Sequence, residues 1–195
     1  MEKSTLRKIY LEKRKKLHEN DIRSLSKKIF ENFISEFPVS KNQKVHCFLS
    51  ISKKNEVDTN FFLEYFFKNN IWVFVPKVVG EELISIEITE ESALLENSWG
   101  IKEPVENIDS GIKDFDLILV PLLYADSFGN RVGYGKGFYD RFFSEIKPNN
   151  LKIGLNFFSP EELIDDVAPF DIALDYLVTP TAVLSFTGFT SKSKK

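Results

Sequence analysis

The chain has 195 residues, 43% of them apolar, enough for one sizeable core and short for two. Its 26 basic residues stand against 29 acidic ones, and the resulting net charge of -3 argues against a protein built to coat nucleic acid. A single cysteine, Cys47, excludes an intrachain disulfide and any C-x-x-C metal or redox site, which fits a cytoplasmic protein.

The first residues lack the apolar core of a signal peptide, and no stretch approaches the roughly 20 apolar residues of a membrane span. Residues 4–18 are rich in strong helix formers and carry Leu6, Ile9, Tyr10, Leu11 and Leu17 at helical spacing. A second helix is predicted from Asp21, as N-cap, to Phe37, stopped by Pro38. Residues 44–49 read as a short buried strand, and Asp58 and Thr59 open a helix carrying Phe61, Phe62, Tyr65 and Phe66. Residues 71–75 form a β-branched and aromatic run ended by Pro76, and residues 83–88 alternate like a half-exposed strand. Residues 97–115 read as loop, broken by Pro104 and Gly111. Residues 116–120 are apolar on both faces after Asp116, as a central parallel strand would be. A glycine-rich segment follows, then a helix over 137–146 and another buried strand over 152–156. This alternation predicts an α/β sandwich around a mostly parallel sheet. One domain is expected over residues 1–186, with a disordered tail over 187–195.

The chemistry concentrates between Asp116 and Arg141. A buried strand delivers the chain to a loop with Gly129, Gly133, Gly135 and Gly137, and a helix follows. Such glycines let backbone N–H groups converge on an anion, and the new helix adds its positive end. Arg131 and Lys136 add formal charge, and Asp140 supplies a carboxylate suited to Mg²⁺. Gly133-Tyr134-Gly135-Lys136-Gly137 matches neither the P-loop spacing nor G-x-G-x-x-G, because position 138 is Phe. A glycine-rich turn is often only a turn; the flanking charges favour phosphate binding here.

The string from Gly129 to Arg141 resembles the signature of the 5-formyltetrahydrofolate cyclo-ligase family. Lys3-Ser4-Thr5-Leu6-Arg7, Glu56-Val57-Asp58-Thr59, Trp99-Gly100-Ile101-Lys102-Glu103-Pro104 and Val178-Thr179-Pro180 resemble further family strings, in the family's order. The resemblance implies a three-layer α/β sandwich of the NagB/RpiA/CoA transferase-like fold. It also implies a reaction: ATP phosphorylates the formyl oxygen of 5-formyltetrahydrofolate, and N10 attack on the resulting N5-iminium phosphate yields 5,10-methenyltetrahydrofolate. Such an enzyme needs in-line positioning and charge stabilisation rather than a nucleophilic side chain.

On the same resemblance, Lys3, Ser4, Thr5, Leu6 and Arg7 form one ATP-binding segment, and Arg131, Val132, Gly133, Tyr134, Gly135, Lys136, Gly137, Phe138 and Tyr139 form the other. Lys136 and Arg131 are its charged, catalytic contacts. Asp140 and Asp171 resemble the two magnesium carboxylates, with Asp165 and Asp175 as competitors. Leu49 and Glu56, with residues 134–138, match folate-contacting positions. Lysines and arginines on a first helix are ordinarily a solvated face, and that reading stands for Lys13, Lys15 and Lys16. His46, in a strand beside Cys47, reads as packed rather than catalytic. The expected partners are reduced folate and ATP, with Mg²⁺ as cofactor, no nucleic acid and no membrane, in a monomer or weak homodimer. Sugar-phosphate isomerisation on a related fold, or a folate- or RNA-binding module, are the competing readings.

Overall fold

The computed structural model describes residues 1–97 and 102–187. The Trp99-Gly100-Ile101 part of the family string, and the expected tail beyond Thr187, lie outside the described residues. The elements run α1 (Lys3–Lys15), α2 (Glu19–Glu36), β1 (Lys44–Cys47), a 3-10 turn (Ser52–Lys54), α3 (Asn60–Lys68), β2 (Trp72–Val79) and β3 (Glu82–Ile88). There follow β4 (Leu94–Glu96), β5 (Lys102–Pro104), β6 (Leu117–Pro121), β7 (Tyr124–Ala125), β8 (Arg131–Val132) and α4 (Phe138–Glu145). The chain closes with β9 (Leu151–Leu155), β10 (Tyr176–Val178) and β11 (Val183–Ser185).

The main sheet has the order β11-β10-β9-β6-β1-β2-β3. Strands β10, β9, β6, β1 and β2 pair in parallel, while β11 and β3 add antiparallel edges. The apolar run of β6 explains its central place. Leu117 and Leu119 pack with Phe33 of α2 and with Phe62 and Phe66 of α3. Ile118 and Val120 point the other way, into a cluster with Phe142, Phe143 and Ile146 at α4. A period of two on a strand covered on both faces therefore makes the three layers, and each fully buried Leu or Phe contributes about 1.5–3 kcal/mol.

α1 stands apart from these layers. Leu6 and Tyr10 pack against Leu123, Tyr124, Val132 and Ile164, with the Tyr10 and Tyr124 rings stacked at 4.4 Å. The β7–β8 hairpin lies just past the carboxyl end of β6, so α1 crowns the end of the parallel sheet where open α/β sheets bind ligands.

Several boundaries differ from the sequence reading. α2 starts two residues before Asp21, because His18 is its N-cap and Asp21 serves at N3, accepting from the His18 N–H at 3.4 Å. β2 runs through Pro76 to Val79: beyond Phe74 it has no strand partner on the β1 side among the described residues, a setting in which a strand tolerates proline. The expected loop over 97–115 contains β5, paired antiparallel with β4. The β7–β8 hairpin and β11 carry too few residues to show a period, and the sequence reading missed them.

Candidate active site

The site grows from the turn between β7 and β8. Buried Asp126 accepts from the N–H groups of Phe128 at 2.9 Å and Asn130 at 3.0 Å, which fixes the turn. Gly129 has φ +81°, and a Cβ there would lie 2.7 Å from the Leu174 carbonyl oxygen. This glycine is needed for packing, not for an anion.

After β8 the chain forms the open loop over 133–137. Gly135 has φ +87°, and a Cβ would meet the Arg7 guanidinium carbon at 3.2 Å. Arg7 Nε donates to the Gly133 carbonyl at 2.9 Å, so α1 lays its guanidinium directly on the glycine loop. Gly137, in the left-handed region, is the N-cap of α4 and offers no side-chain cap. The first N–H groups of α4 therefore lack a cap from that residue, and Lys136 beside them is exposed with no ion-pair partner among the described residues. This is the chemistry of an anion site.

Two carboxylates border the loop. Asp140 Oδ1 is 2.7 Å from Arg131 Nη2 and accepts from the Ile172 N–H at 3.1 Å. Arg131 also donates to the Ile172 carbonyl, and its side chain is only 8% exposed. Burial pulls the Arg131 guanidinium below its ordinary value, while Asp140 and then Asp171 hold it up. Asp171 is ion-paired with Lys3 through Oδ2. Among the described residues no protein donor reaches Oδ2 of Asp140 or Oδ1 of Asp171. The competitors lie elsewhere: Asp175 binds the Lys152 N–H at 2.7 Å, and Asp165 pairs with the chain's amino terminus at 2.7 Å.

A second polar group lies behind the loop. Glu56 is buried; its Oε2 accepts from the Ile51 N–H at 2.9 Å and its Oε1 from the Tyr134 hydroxyl at 2.6 Å. Leu49, buried two residues past the end of β1, lies on the same connection. Burial first, then Glu56, raises the Tyr134 phenol above its ordinary value. The Tyr139 hydroxyl is also buried and has no partner among the described residues; burial, then Cys47 and Glu56, raise it.

The structure thus brings Arg7, residues 133–137 and Arg131 together, with Asp140 and Asp171 at one side and Glu56 at the other. It sets Leu6 and Val132 in the core, each 0% exposed, while Ser4 and Thr5 are exposed. Phe138 is half-buried under the Arg141 guanidinium, 5.1 Å from its ring. Sequence reasoning gave no role to buried Arg14, which reaches Tyr134; its spacing of seven from Arg7 on one helix was the available signal. His46 packs among Phe115, Phe142 and Tyr139, as expected of a core residue. A groove between α3 and the β3–β4 connection, lined by Leu63, Phe67 and Ile88, carries none of these groups.

Residues 1–180 match the model of the 5-formyltetrahydrofolate cyclo-ligase family. A probable 5-formyltetrahydrofolate cyclo-ligase of Schizosaccharomyces pombe is 31% identical over 94% of this chain and 98% of its own length. The 5-formyltetrahydrofolate cyclo-ligase of Mycoplasma genitalium is 28% identical over 91% and 98%. Among solved structures, the 5,10-methenyltetrahydrofolate synthetase of Aquifex aeolicus superposes with a TM-score of 0.81 at 35% identity, covering 100% of this chain and 97% of that one. That of Mycoplasma pneumoniae gives 0.72 at 26% identity, over 92% and 99%. With the match running through both halves of the site, the chain belongs to the 5-formyltetrahydrofolate cyclo-ligase family of enzymes.

Proposed function

We propose that this protein converts 5-formyltetrahydrofolate to 5,10-methenyltetrahydrofolate with consumption of Mg-ATP. The supporting observation is the docking of Arg7 on Gly133 and Gly135, which joins two segments far apart in sequence into one cationic, glycine-lined cradle. The triphosphate lies against that cradle, the α4 N-terminus and Lys136. Glu56 and Leu49 face the folate, whose aminopyrimidine edge offers donors to a carboxylate.

The formyl oxygen attacks the γ-phosphorus in line and the bond to ADP breaks, giving an N5-iminium phosphate. The N10 lone pair then bonds to the former formyl carbon, phosphate leaves with its oxygen, and the N10 proton is lost. Lys136 supplies charge to the transferring phosphoryl, worth about 3–4 kcal/mol when such contacts are removed elsewhere. Arg131, committed to Asp140 and the Ile172 carbonyl, acts by holding Asp140 in place.

Asp140 and Asp171 fit Mg²⁺ that arrives with ATP: each has an oxygen without a protein donor among the described residues, and two carboxylates plus phosphate oxygens and water suit the ion. No group of three or more ligating side chains forms among the described residues, so the phosphates are part of the donor set. When bound, the ion neutralises charge on the phosphate oxygens. No described helix is long and apolar enough to cross a membrane, and a cytoplasmic enzyme with two small-molecule partners completes the reading.

Purified protein with 5-formyltetrahydrofolate should develop the near-ultraviolet absorbance of the methenyl product only when ATP and Mg²⁺ are both present. Conversion without nucleotide, or none under any condition, would remove this reading.

A further inference from the structure

Arg14 lies two turns beyond Arg7 on α1, on the face that also carries Lys3. It is 2% exposed, donates through Nη2 to the Leu122 carbonyl, and reaches the Tyr134 hydroxyl oxygen from Nη1 at 3.4 Å. The Tyr134 hydroxyl in turn donates to Glu56 Oε1 at 2.6 Å, and Glu56 is 4% exposed. A buried guanidinium and a buried carboxylate are therefore joined through one phenol. Either charge alone at this burial would be strongly destabilising, so the connection has a reason to persist.

The direction of the chain is fixed. A guanidinium can only donate and a carboxylate only accept, so the one phenol proton of Tyr134 lies toward Glu56. Burial and Glu56 both hold that proton on the phenol oxygen. The Ile51 N–H pins the other carboxylate oxygen at 2.9 Å. Among the described residues no further donor reaches Glu56, although each oxygen keeps a second lone pair. The carboxylate is thus a fixed acceptor with capacity left over.

Tyr134 is gripped along its backbone as well. Arg7 binds the Gly133 carbonyl on one side and lies over Gly135 on the other, while Lys54 Nζ sits 4.1 Å from the Tyr134 ring centre. One helix holds the nucleotide loop twice, by backbone through Arg7 and by side chain through Arg14.

We propose that Arg14 and Tyr134 are positioning residues that aim the Glu56 carboxylate at the donor edge of the folate ring. This rests on the placing of Glu56 at the folate in the reading above. Since a hydrogen bond to a charged acceptor is removed, Tyr134→Phe should raise the KM for 5-formyltetrahydrofolate roughly tenfold while the KM for Mg-ATP changes by less than about twofold. The ring stays, so packing survives.

A double-mutant cycle provides the decisive measurement. In a Glu56→Gln background, removing the Tyr134 hydroxyl should add less than about twofold, because the group it aims is already gone. Arg14→Lys keeps the charge but loses the fork, and should move the folate KM in the same direction. If that variant does not fold, the Tyr134 cycle decides alone. Equal rises in both KM values, an unchanged folate KM, or an undiminished penalty in the Glu56→Gln background would overturn the proposal. A parent protein that converts no 5-formyltetrahydrofolate overturns the functional reading itself, and with it this inference.

Discussion

At Asp140 two demands meet on one carboxylate. Oδ1 is taken by Arg131 and by the Ile172 N–H, while Oδ2, without a donor among the described residues, is the oxygen that would face the proposed Mg²⁺. Asp140→Asn keeps the shape but removes the charge, leaving a buried guanidinium against a neutral amide. Turnover should fall roughly a hundredfold, with a higher Mg²⁺ requirement, the scale of losing one transition-state electrostatic contact. Near-normal kcat at modest Mg²⁺ would move the metal to other residues. Phe138 makes a different contribution. Its ring is half-buried beneath Arg141 and has no hydroxyl to give, and in the proposed mechanism it would serve as an apolar wall that keeps water from the activated intermediate. Phe138→Tyr should therefore alter kcat/KM by only a few fold, and Phe138→Ala should lower it roughly tenfold to a hundredfold. A large gain with tyrosine would assign the work to a hydroxyl.

The strand–loop–helix unit from β6 to α4 uses its glycines in two ways, and substitution separates them. An alanine at Gly129 would place its Cβ 2.7 Å from the Leu174 carbonyl and 2.8 Å from the Phe186 ring, at φ +81°. Backbone cannot yield as a side chain can, so Gly129→Ala should cost about 2–4 kcal/mol of stability. Gly135 is exposed, and its nearest neighbour is the far end of the flexible Arg7 side chain, at 3.2 Å. Gly135→Ala should leave thermal unfolding within a few degrees, since positive φ costs an alanine about 1 kcal/mol or a little more. It should instead raise the KM for ATP roughly tenfold by dislodging Arg7. Melting curves beside ATP titrations of the two variants test this; a shared phenotype would mean that the turn and the cradle are one mechanical unit.

For the molecule as a whole, the packed core carries a titratable liability at β1. His46 on β1 is 0% exposed, and neither ring nitrogen has a partner among the described residues. Burial lowers its pKa from 6.5 to about 3. The unfolded chain takes up this proton below about pH 6.5, whereas the folded one refuses it until about pH 3. The position therefore carries no protonation penalty above that window, and stability is lost as pH falls through it, by about 1.4 kcal/mol per pH unit. His46→Phe abolishes this slope. Urea unfolding at pH 7 and pH 5 should show a difference about 2 kcal/mol smaller in the variant than in the parent. An equal difference would mean that the folded state admits the proton.

The sequence by itself determined the elements whose pattern is long or doubly apolar. Residues 117–120 must be central because Leu117 and Leu119 need one helical layer and Ile118 and Val120 the other. It also made legible the glycine loop with its Lys136 and Asp140, since the roles proposed for them depend on spacing within one short segment. Tertiary structure decided which charges are free and which are spent. Lys136 and Arg131 read alike in sequence, yet one is exposed without an ion-pair partner among the described residues, and the other is 8% exposed and bonded to Asp140 and the Ile172 carbonyl. Arg14 reads like its neighbours Lys13 and Lys15, and only the packing of α1 over β7 and β8 turns it inward to Tyr134. Such assignments depend on contacts between residues far apart in sequence, the 41 positions between Arg131 and Ile172 and the 120 between Arg14 and Tyr134. Local periodicity carries no information at that range, because the partner that neutralises a charge is chosen by the packing of whole elements.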